Sequence, residues 1–491
     1  MRDMEKYETV DVVIVGAGIG GIGAAAWMTK NHPSKTFRIY DANPSHGGTW
    51  WTHKYPGIRT DSDMQTYSYE DHPWIGKTFA SADQINDYLK GVMDECSIND
   101  KVRFNRTVTN ARWFDDLNQW VLTIFNKETG SREYVRTPFL WNAVGYYSHN
   151  LPYRPHWQGE EDFAGTIVHS MDWQDDIDYT GKRVVVIGSG ATAATVVPAF
   201  AEKAAHVTMI QRSPTYFQVK PSIEPLMAML APLGLPDEIV HQVMRKLFTT
   251  NLEAGVNMVF NDNDTMVKML LEGVKAQLPE GFDMKHFTPR YPAWKQRVAA
   301  IPDGDLFEAV RAGKVSVVTD TIECFTKDGV QVSSGEVVPA DIIMLATGFN
   351  MNVLGEISFE VNGQKIDTHD RVTWRGLMLE GLPNMVYVFG YFRATWTQRV
   401  EMINRFVGRL WDHMEANGYR KVSPVRDDEP ADEKEPWLSK DVHADPGYMM
   451  RGLPYLFQQG KGEPWRHFKE FKDEVKILPF VDGTDKHLRY V

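Results

Sequence analysis

An α/β fold with two Rossmann-like domains and a helical insertion is what three observations in this 491-residue sequence predict. Asp11–Val15 (DVVIV), a glycine turn and a small-residue run read as strand, turn and helix, and the same pattern returns at Arg183–Ile187. After the second unit, Asp237–Asn251 and Asn263–Gln277 carry apolar residues at helical spacing, among them Val240, Val243, Met244 and Leu247. With 43% hydrophobic and 24% charged residues, the chain has the composition of a globular protein that can bury these elements.

Gly16-Ala17-Gly18-Ile19-Gly20-Gly21 follows the first strand and precedes a helix from Ile22 to Lys30. Gly16 permits the tight turn, Gly18 lets backbone approach a pyrophosphate, and Gly21 lets the helix pack on the strand. The helix N-terminus offers free N–H groups and a positive dipole to phosphates. A second strand, Thr36–Tyr40, ends at Asp41, where a carboxylate accepts hydrogen bonds from a ribose diol. This unit fits FAD.

In the second unit Gly188-Ser189-Gly190-Ala191-Thr192-Ala193 opens a helix through Ala201, and His206–Ile210 leads to Gln211-Arg212-Ser213. A cation and a hydroxyl replace the acid of the first unit. Arg212 can pair with a 2′-phosphate that a carboxylate would repel, so this unit fits NADPH. The bland alternative for Arg212 is a solvated surface side chain.

The expected organisation is an FAD domain over 1–150 that resumes at 348–425, and an NADP domain over 151–213 and 290–347. The helical insertion spans 214–289, and 426–491 forms an acidic linker (RDDEPADEKEP, Arg426–Pro436) with a C-terminal extension. The insertion reads equally as a helical lid or as a substrate-pocket wall, the latter for Met227, Met229, Met258 and Met269.

A formal net charge of −12 argues against nucleic acid as a partner. Cys96 and Cys324 are the only cysteines, too few for a disulfide scaffold or a four-cysteine zinc site and too far apart in sequence for a CxxC redox pair. No metal is expected. Met1–Val10 lacks the apolar core of a signal peptide, and Pro225–Pro236 (PLMAMLAPLGLP) is too short to span a bilayer. The expectation is a cytoplasmic protein without a membrane span. Two nucleotides in one chain suggest a hydride passed from NADPH to a flavin. Without a cysteine pair to reduce, oxygen is the remaining common acceptor.

Phe163-Ala164-Gly165-Thr166-Ile167-Val168-His169-Ser170-Met171-Asp172-Trp173 matches F-x-G-x-x-x-H-x-x-x-W. With it, the chain resembles the class B flavoprotein monooxygenases of Baeyer–Villiger type. Gly47-Gly48-Thr49-Trp50, Tyr55 to Asp63, Ala346-Thr347-Gly348-Phe349, and a tail with Gly447-Tyr448 and Gly462-Glu463-Pro464-Trp465 extend the likeness over nearly the whole chain. The resemblance implies FAD, NADPH and molecular oxygen. In that family a C4a-peroxyflavin oxygenates a ketone or a sulfide. An N- or S-hydroxylating enzyme without ketone activity, or an idle NADP-sensing flavoprotein, are the alternatives.

The resemblance also implies roles. Gly48, Thr49 and Trp50 lie on the flavin side, and Arg297 supplies the cation that stabilises the reacting anion, with Arg290 second in line. Asp61 would support Arg297. Asp63 shares its face if that segment is extended, so both remain candidates. Lys295 is either a second cation for the 2′-phosphate or a solvated side chain. His169 and Trp173 would be structural or gating residues. Gly390 to Thr397 leads into an amphipathic helix through His413, whose N-terminus would face the flavin.

Overall fold

In the computed structural model, which describes residues 7–427, 434–438 and 445–491, two five-stranded parallel sheets dominate. The first runs Met385–Tyr387, Phe139–Asn142, Val12–Val15, Phe37–Tyr40, Val102–Arg103. The second runs Thr166–His169, Ile342–Leu345, Arg183–Ile187, His206–Gln211, Val315–Thr319. Each glycine turn leaves a central strand flanked by strands from opposite sides of the chain order, the switch point where open α/β sheets bind ligands.

Val12–Val15 is buried along its whole length, as its unbroken β-branched run requires. Helix Ile19–Asn31 packs its glycine and alanine side so closely that Gly20 to Ala26 are all buried. Beside this sheet lies a six-stranded mixed sheet in which Arg106–Phe114, Gln119–Asn126 and Arg132–Thr137 form an antiparallel meander. Its buried Trp113 and Trp120 meet edge to face at 5.5 Å.

The chain crosses between the two parallel sheets twice. Tyr147–Pro152 leads out and Phe349–Met351 leads back, paired antiparallel. His53, His149 and His169 gather around this crossing, with the His53 ring 5.1 Å and the His169 ring 6.3 Å from Phe349. Burial pushes His53 down to about 3 and lowers His149 and His169 as well, so all three are neutral here at neutral pH. Trp173 is buried against Phe200 at 5.3 Å and serves packing.

The insertion departs from the expectation of an all-helical segment. It begins with a strand, Tyr216–Lys220, which pairs in parallel with Val298–Pro302 on the far side of the insertion. Aromatic and branched residues at Tyr216, Phe217 and Val219 favour the strand, and the remote partner realises it. The first helix also runs on past Asn251, from Asp237 to Asn261. Val240 and Met244 bury with Met227 in a satellite core, whereas Val243 faces out. Met229 and Met269 are 69% and 55% exposed, so they line no pocket wall. Nor is the insertion a free lid. Arg245 pairs with Glu401 at 2.5 Å and donates to the Ser68 carbonyl, tying it to the first unit.

The segment after 445 is part of the first unit's core. Trp465, Leu478 and Leu488 bury there, and Leu488–Tyr490 pairs with Val422–Pro424. Residues 428–433 of the acidic linker lie outside the described residues, as do 1–6 of the N-terminal segment. Among the described residues no helix is long and apolar enough to cross a membrane. Among them, too, no group of three or more His, Cys, Asp or Glu is arranged to hold a metal.

Candidate active site

The first glycine turn is closed by contacts that only glycine allows. Gly16 has φ +105°, and a Cβ there would meet the Ala143 carbonyl at 2.5 Å. A Cβ on Gly21 would fall 1.9 Å from the Gly16 carbonyl, so the helix could not seat on its strand. Gly18 faces Gly48 across a gap set by backbone alone: a Cβ on Gly18 would meet the Gly48 Cα at 3.5 Å. This cradle of bare backbone at a helix N-terminus suits a pyrophosphate.

Asp41 is buried at the end of Phe37–Tyr40. Its two carboxylate oxygens accept from the Ala17 amide at 2.6 Å and the Asn43 amide at 2.7 Å. Burial raises its pKa and these amides oppose the rise. Asp41 therefore braces the turn, and each oxygen keeps a lone pair for a ribose hydroxyl. Thr49 is exposed and half-buried Trp50 donates from Nε1 to the Tyr67 hydroxyl at 2.9 Å. That bond links the Gly48 turn to the segment carrying Asp61.

In the second turn Gly188 has φ +137°, and a Cβ would meet the Ala346 carbonyl at 2.3 Å. Gly190 caps helix Ala191–Ala201 with open space before it, and Ala193 is fully buried where the first unit has Gly21. Ser189 donates to the Ser213 carbonyl at 3.0 Å, holding the turn to the strand end. Arg212 is exposed and forms no ion pair with another described residue. An exposed guanidinium at the end of the second strand is free to pair with a 2′-phosphate. Lys295 has a protein partner. It pairs with Asp445 at 3.4 Å on a partly exposed surface.

Arg297 lies between the two units. Its loop is bent by Trp294, at φ +65°, so the side chain enters from the start of Val298–Pro302. Nε and Nη2 donate to the Tyr448 hydroxyl at 3.2 and 2.9 Å, and Nη1 donates to the Phe392 carbonyl. Burial works against its charge, but Tyr448, Tyr146 and Tyr147 around it outweigh that, so its pKa lies above the ordinary arginine value. It remains a cation at any working pH. Arg290 is exposed and plays no part here.

The structure separates Asp61 from Asp63. The segment bends instead of running extended, so the two do not share a face. Asp63 caps Met64–Tyr67, its Oδ1 accepting from the Thr66 amide and hydroxyl, both at 2.8 Å. Asp61 caps no helix and is held locally by Ser62. Asp61 stands at an exposed position; partial desolvation raises its carboxyl, and Arg297 nearby opposes the rise. It acts on Arg297 through space, without a direct ion pair.

Helix Trp396–Asn417 starts beside this group. The Thr395 and Thr397 hydroxyls both donate to the Thr66 carbonyl at 2.8 Å, which fixes the helix start to the Asp61 segment. Tyr146 stacks on Trp396 at 5.0 Å. Tyr146, Phe392 and the direct contact of Tyr448 with Arg297 are features that sequence reasoning missed. The Gly447-Tyr448 pair and the Gly390–Thr397 segment, which holds Phe392, were the visible traces.

Residues 51–372 match the model of a family described as flavin-binding monooxygenase-like, and residues 14–82 match an NAD(P)-binding Rossmann-like domain. The chain is 39% identical over 486 residues to the "FAD-containing monooxygenase EthA" of Mycolicibacterium smegmatis, covering 98% of this chain and 97% of that protein. The protein of the same name from Mycobacterium tuberculosis H37Rv is also 39% identical, covering 98% of each chain. Among solved structures, OTEMO in complex with FAD and NADP superposes with a TM-score of 0.74 at 21% identity, over 99% of this chain and 100% of that one. Cyclohexanone monooxygenase from Rhodococcus sp. Phi1 bound to NADP+ gives 0.67 at 22% identity, over 86% and 87%. The fold is shared with both.

Proposed function

Because this chain belongs to the flavin-binding monooxygenase-like family, we propose that it holds FAD on the Gly16 turn and NADPH on the Gly188 turn and inserts one atom of O2 into a ketone. The other oxygen atom leaves as water, the ketone becomes an ester or lactone, and NADPH is oxidised to NADP+. Sulfides are oxidised at the same site. The bound flavin supplies the redox chemistry that takes up hydride and activates oxygen. The protein binds and orients both nucleotides and places charge.

The observation that carries this reading is Arg297, a permanent, half-buried cation bonded to Tyr448 and Phe392, with Asp61 within electrostatic reach. A cation fixed before the reaction stabilises an oxygen anion without reorganising solvent. Arginine suits the task because it keeps its proton. The Gly18–Gly48 cradle and Asp41 accommodate FAD, and unpaired Arg212 accommodates the 2′-phosphate of NADPH.

The test is NADPH-dependent oxygen uptake with a panel of ketones and sulfides, with products identified by mass spectrometry. Ester from a ketone supports the reading, whereas sulfoxide alone favours a heteroatom-hydroxylating enzyme. Flavin released from the purified protein should run as FAD. FMN in its place would overturn the assignment of the first turn.

Coenzyme choice gives a separate check. Arg212→Ala should erode the preference for NADPH over NADH by roughly ten- to a hundredfold in apparent affinity, the worth of a charge-assisted phosphate contact. NADH kinetics should barely move. Unchanged discrimination would make Arg212 a bystander.

A further inference from the structure

Three of the five N–H groups of Arg297 are committed inside the protein, and two of those go to one atom, the hydroxyl oxygen of Tyr448. The third goes to the Phe392 carbonyl. Asp61, which the family resemblance offers as the support of this arginine, forms no ion pair with it. The group that sets the plane of the guanidinium therefore comes from the C-terminal segment.

That segment is built to stay in place. The Asp445 amide donates to the Lys295 carbonyl at 2.6 Å and its carboxylate pairs with Lys295, two residues before Arg297. Met449 is buried in the first unit's core. Arg451 donates to the Phe349 carbonyl at 3.0 Å and lies 3.4 Å over the ring of Tyr153, the residue after the outgoing strand, so it is anchored at the crossing. The Tyr448 ring itself rests edge to face on Tyr147 at 5.5 Å. A phenol held this firmly fixes whatever is bonded to its oxygen.

We propose that Tyr448 is the positioning residue for Arg297, and that residues 445–451 form a strap delivering it across the junction of the two units. The proposal rests on the oxygenating role given to Arg297 above. With Nε, one Nη2 hydrogen and one Nη1 hydrogen tied back, the two remaining N–H groups are the ones free to face Asp61 and the reacting oxygen. Without Tyr448 the guanidinium keeps its charge but loses its aim. Reducing power then leaves as hydrogen peroxide: NADPH, a proton and O2 give NADP+ and H2O2 when no substrate takes the oxygen.

The experiment uses FAD-loaded wild type, Tyr448→Phe, Arg297→Ala and the double variant. Phenylalanine keeps the ring and removes only the acceptor. Tyr448→Phe should lower product per NADPH consumed by about tenfold, with peroxide making up the difference. Anaerobic flavin reduction by NADPH and the KM for NADPH should match wild type, a split that general loosening of the fold would not give. Wild-type partition in Tyr448→Phe would overturn the proposal.

Thermal unfolding of the same four proteins decides the contact without reference to turnover. Tyr448→Phe should lower the melting temperature by about 2–4 °C when Arg297 is present and leave it unchanged in the Arg297→Ala background. Equal losses in both backgrounds would mark a merely structural tyrosine and overturn the proposal. If wild type consumed no oxygen with NADPH, the proposed function would fall, and the unfolding cycle would still decide whether Tyr448 holds Arg297.

Discussion

Arg297→Ala should bind FAD, accept hydride from NADPH at the wild-type rate, and form no ester. Neither glycine turn touches Arg297, so nucleotide binding and reduction have no reason to change. The loss falls on the step in which negative charge develops on oxygen. Removing one preorganised stabilising group from such a step costs on the order of 100- to 1,000-fold. Here the group is a full, half-buried cation, so the loss should reach that range. Arg297→Lys should recover little, because an ammonium cannot make the planar set of bonds to Tyr448 and Phe392 and can give up its proton. Stopped-flow reduction with product and peroxide analysis reads both halves. Normal ester formation would remove Arg297 from the reaction.

The largest effect on stability should come from Glu474→Ala. Glu474 and Arg399 are both fully buried, joined at 2.9 and 3.0 Å. The remaining Arg399 donors go to the carbonyls of Arg375, Gly376 and Phe389, so all five are used. Removing the carboxylate strands a buried guanidinium at the start of helix Trp396–Asn417, at a cost of about 3–5 kcal/mol. That is a large share of the stability of any domain. Thermal unfolding and soluble yield measure it. Glu474→Gln keeps the shape and one acceptor and should fall between alanine and wild type. A wild-type melting temperature for Glu474→Ala would mean that the pair contributes nothing net.

What the sequence revealed of the site was what lies within a few residues of a turn. Gly16, Gly21, Gly188, Asp41 and Arg212 each follow from one strand–turn–helix unit, and their geometry needs no distant partner. The cap at Asp63 was not read from the sequence, which left Asp61 and Asp63 as joint candidates; the structure shows Asp63 accepting from the Thr66 amide at the start of Met64–Tyr67. The partners of Arg297 were not local. Tyr448 lies 151 residues away and Phe392 95, on segments with no periodicity that points toward the loop. The strand Tyr216–Lys220 was hidden for the same reason, its partner Val298–Pro302 lying beyond the whole insertion. Exposure of Met229 and Met269 depends on which way their helices, Pro225–Leu230 and Asn263–Lys275, turn when they dock, which no local pattern fixes.

The paired crossing strands Tyr147–Pro152 and Phe349–Met351 also constrain the order in which the chain can acquire its structure. Everything in the second parallel sheet, Thr166 to Leu345, is made as one uninterrupted stretch, so that sheet can assemble as soon as it leaves the ribosome. The first sheet cannot. Val12–Val15, Phe37–Tyr40 and Phe139–Asn142 emerge early, yet Met385–Tyr387, which pairs with Phe139–Asn142, comes only after the entire inserted domain. Until then an apolar strand edge stands open and invites wrong partners. Prior folding of the inserted domain brings its two ends together at the crossing, which replaces a long loop closure by a short one. The nested domain thus serves as a folding clamp for the domain that surrounds it.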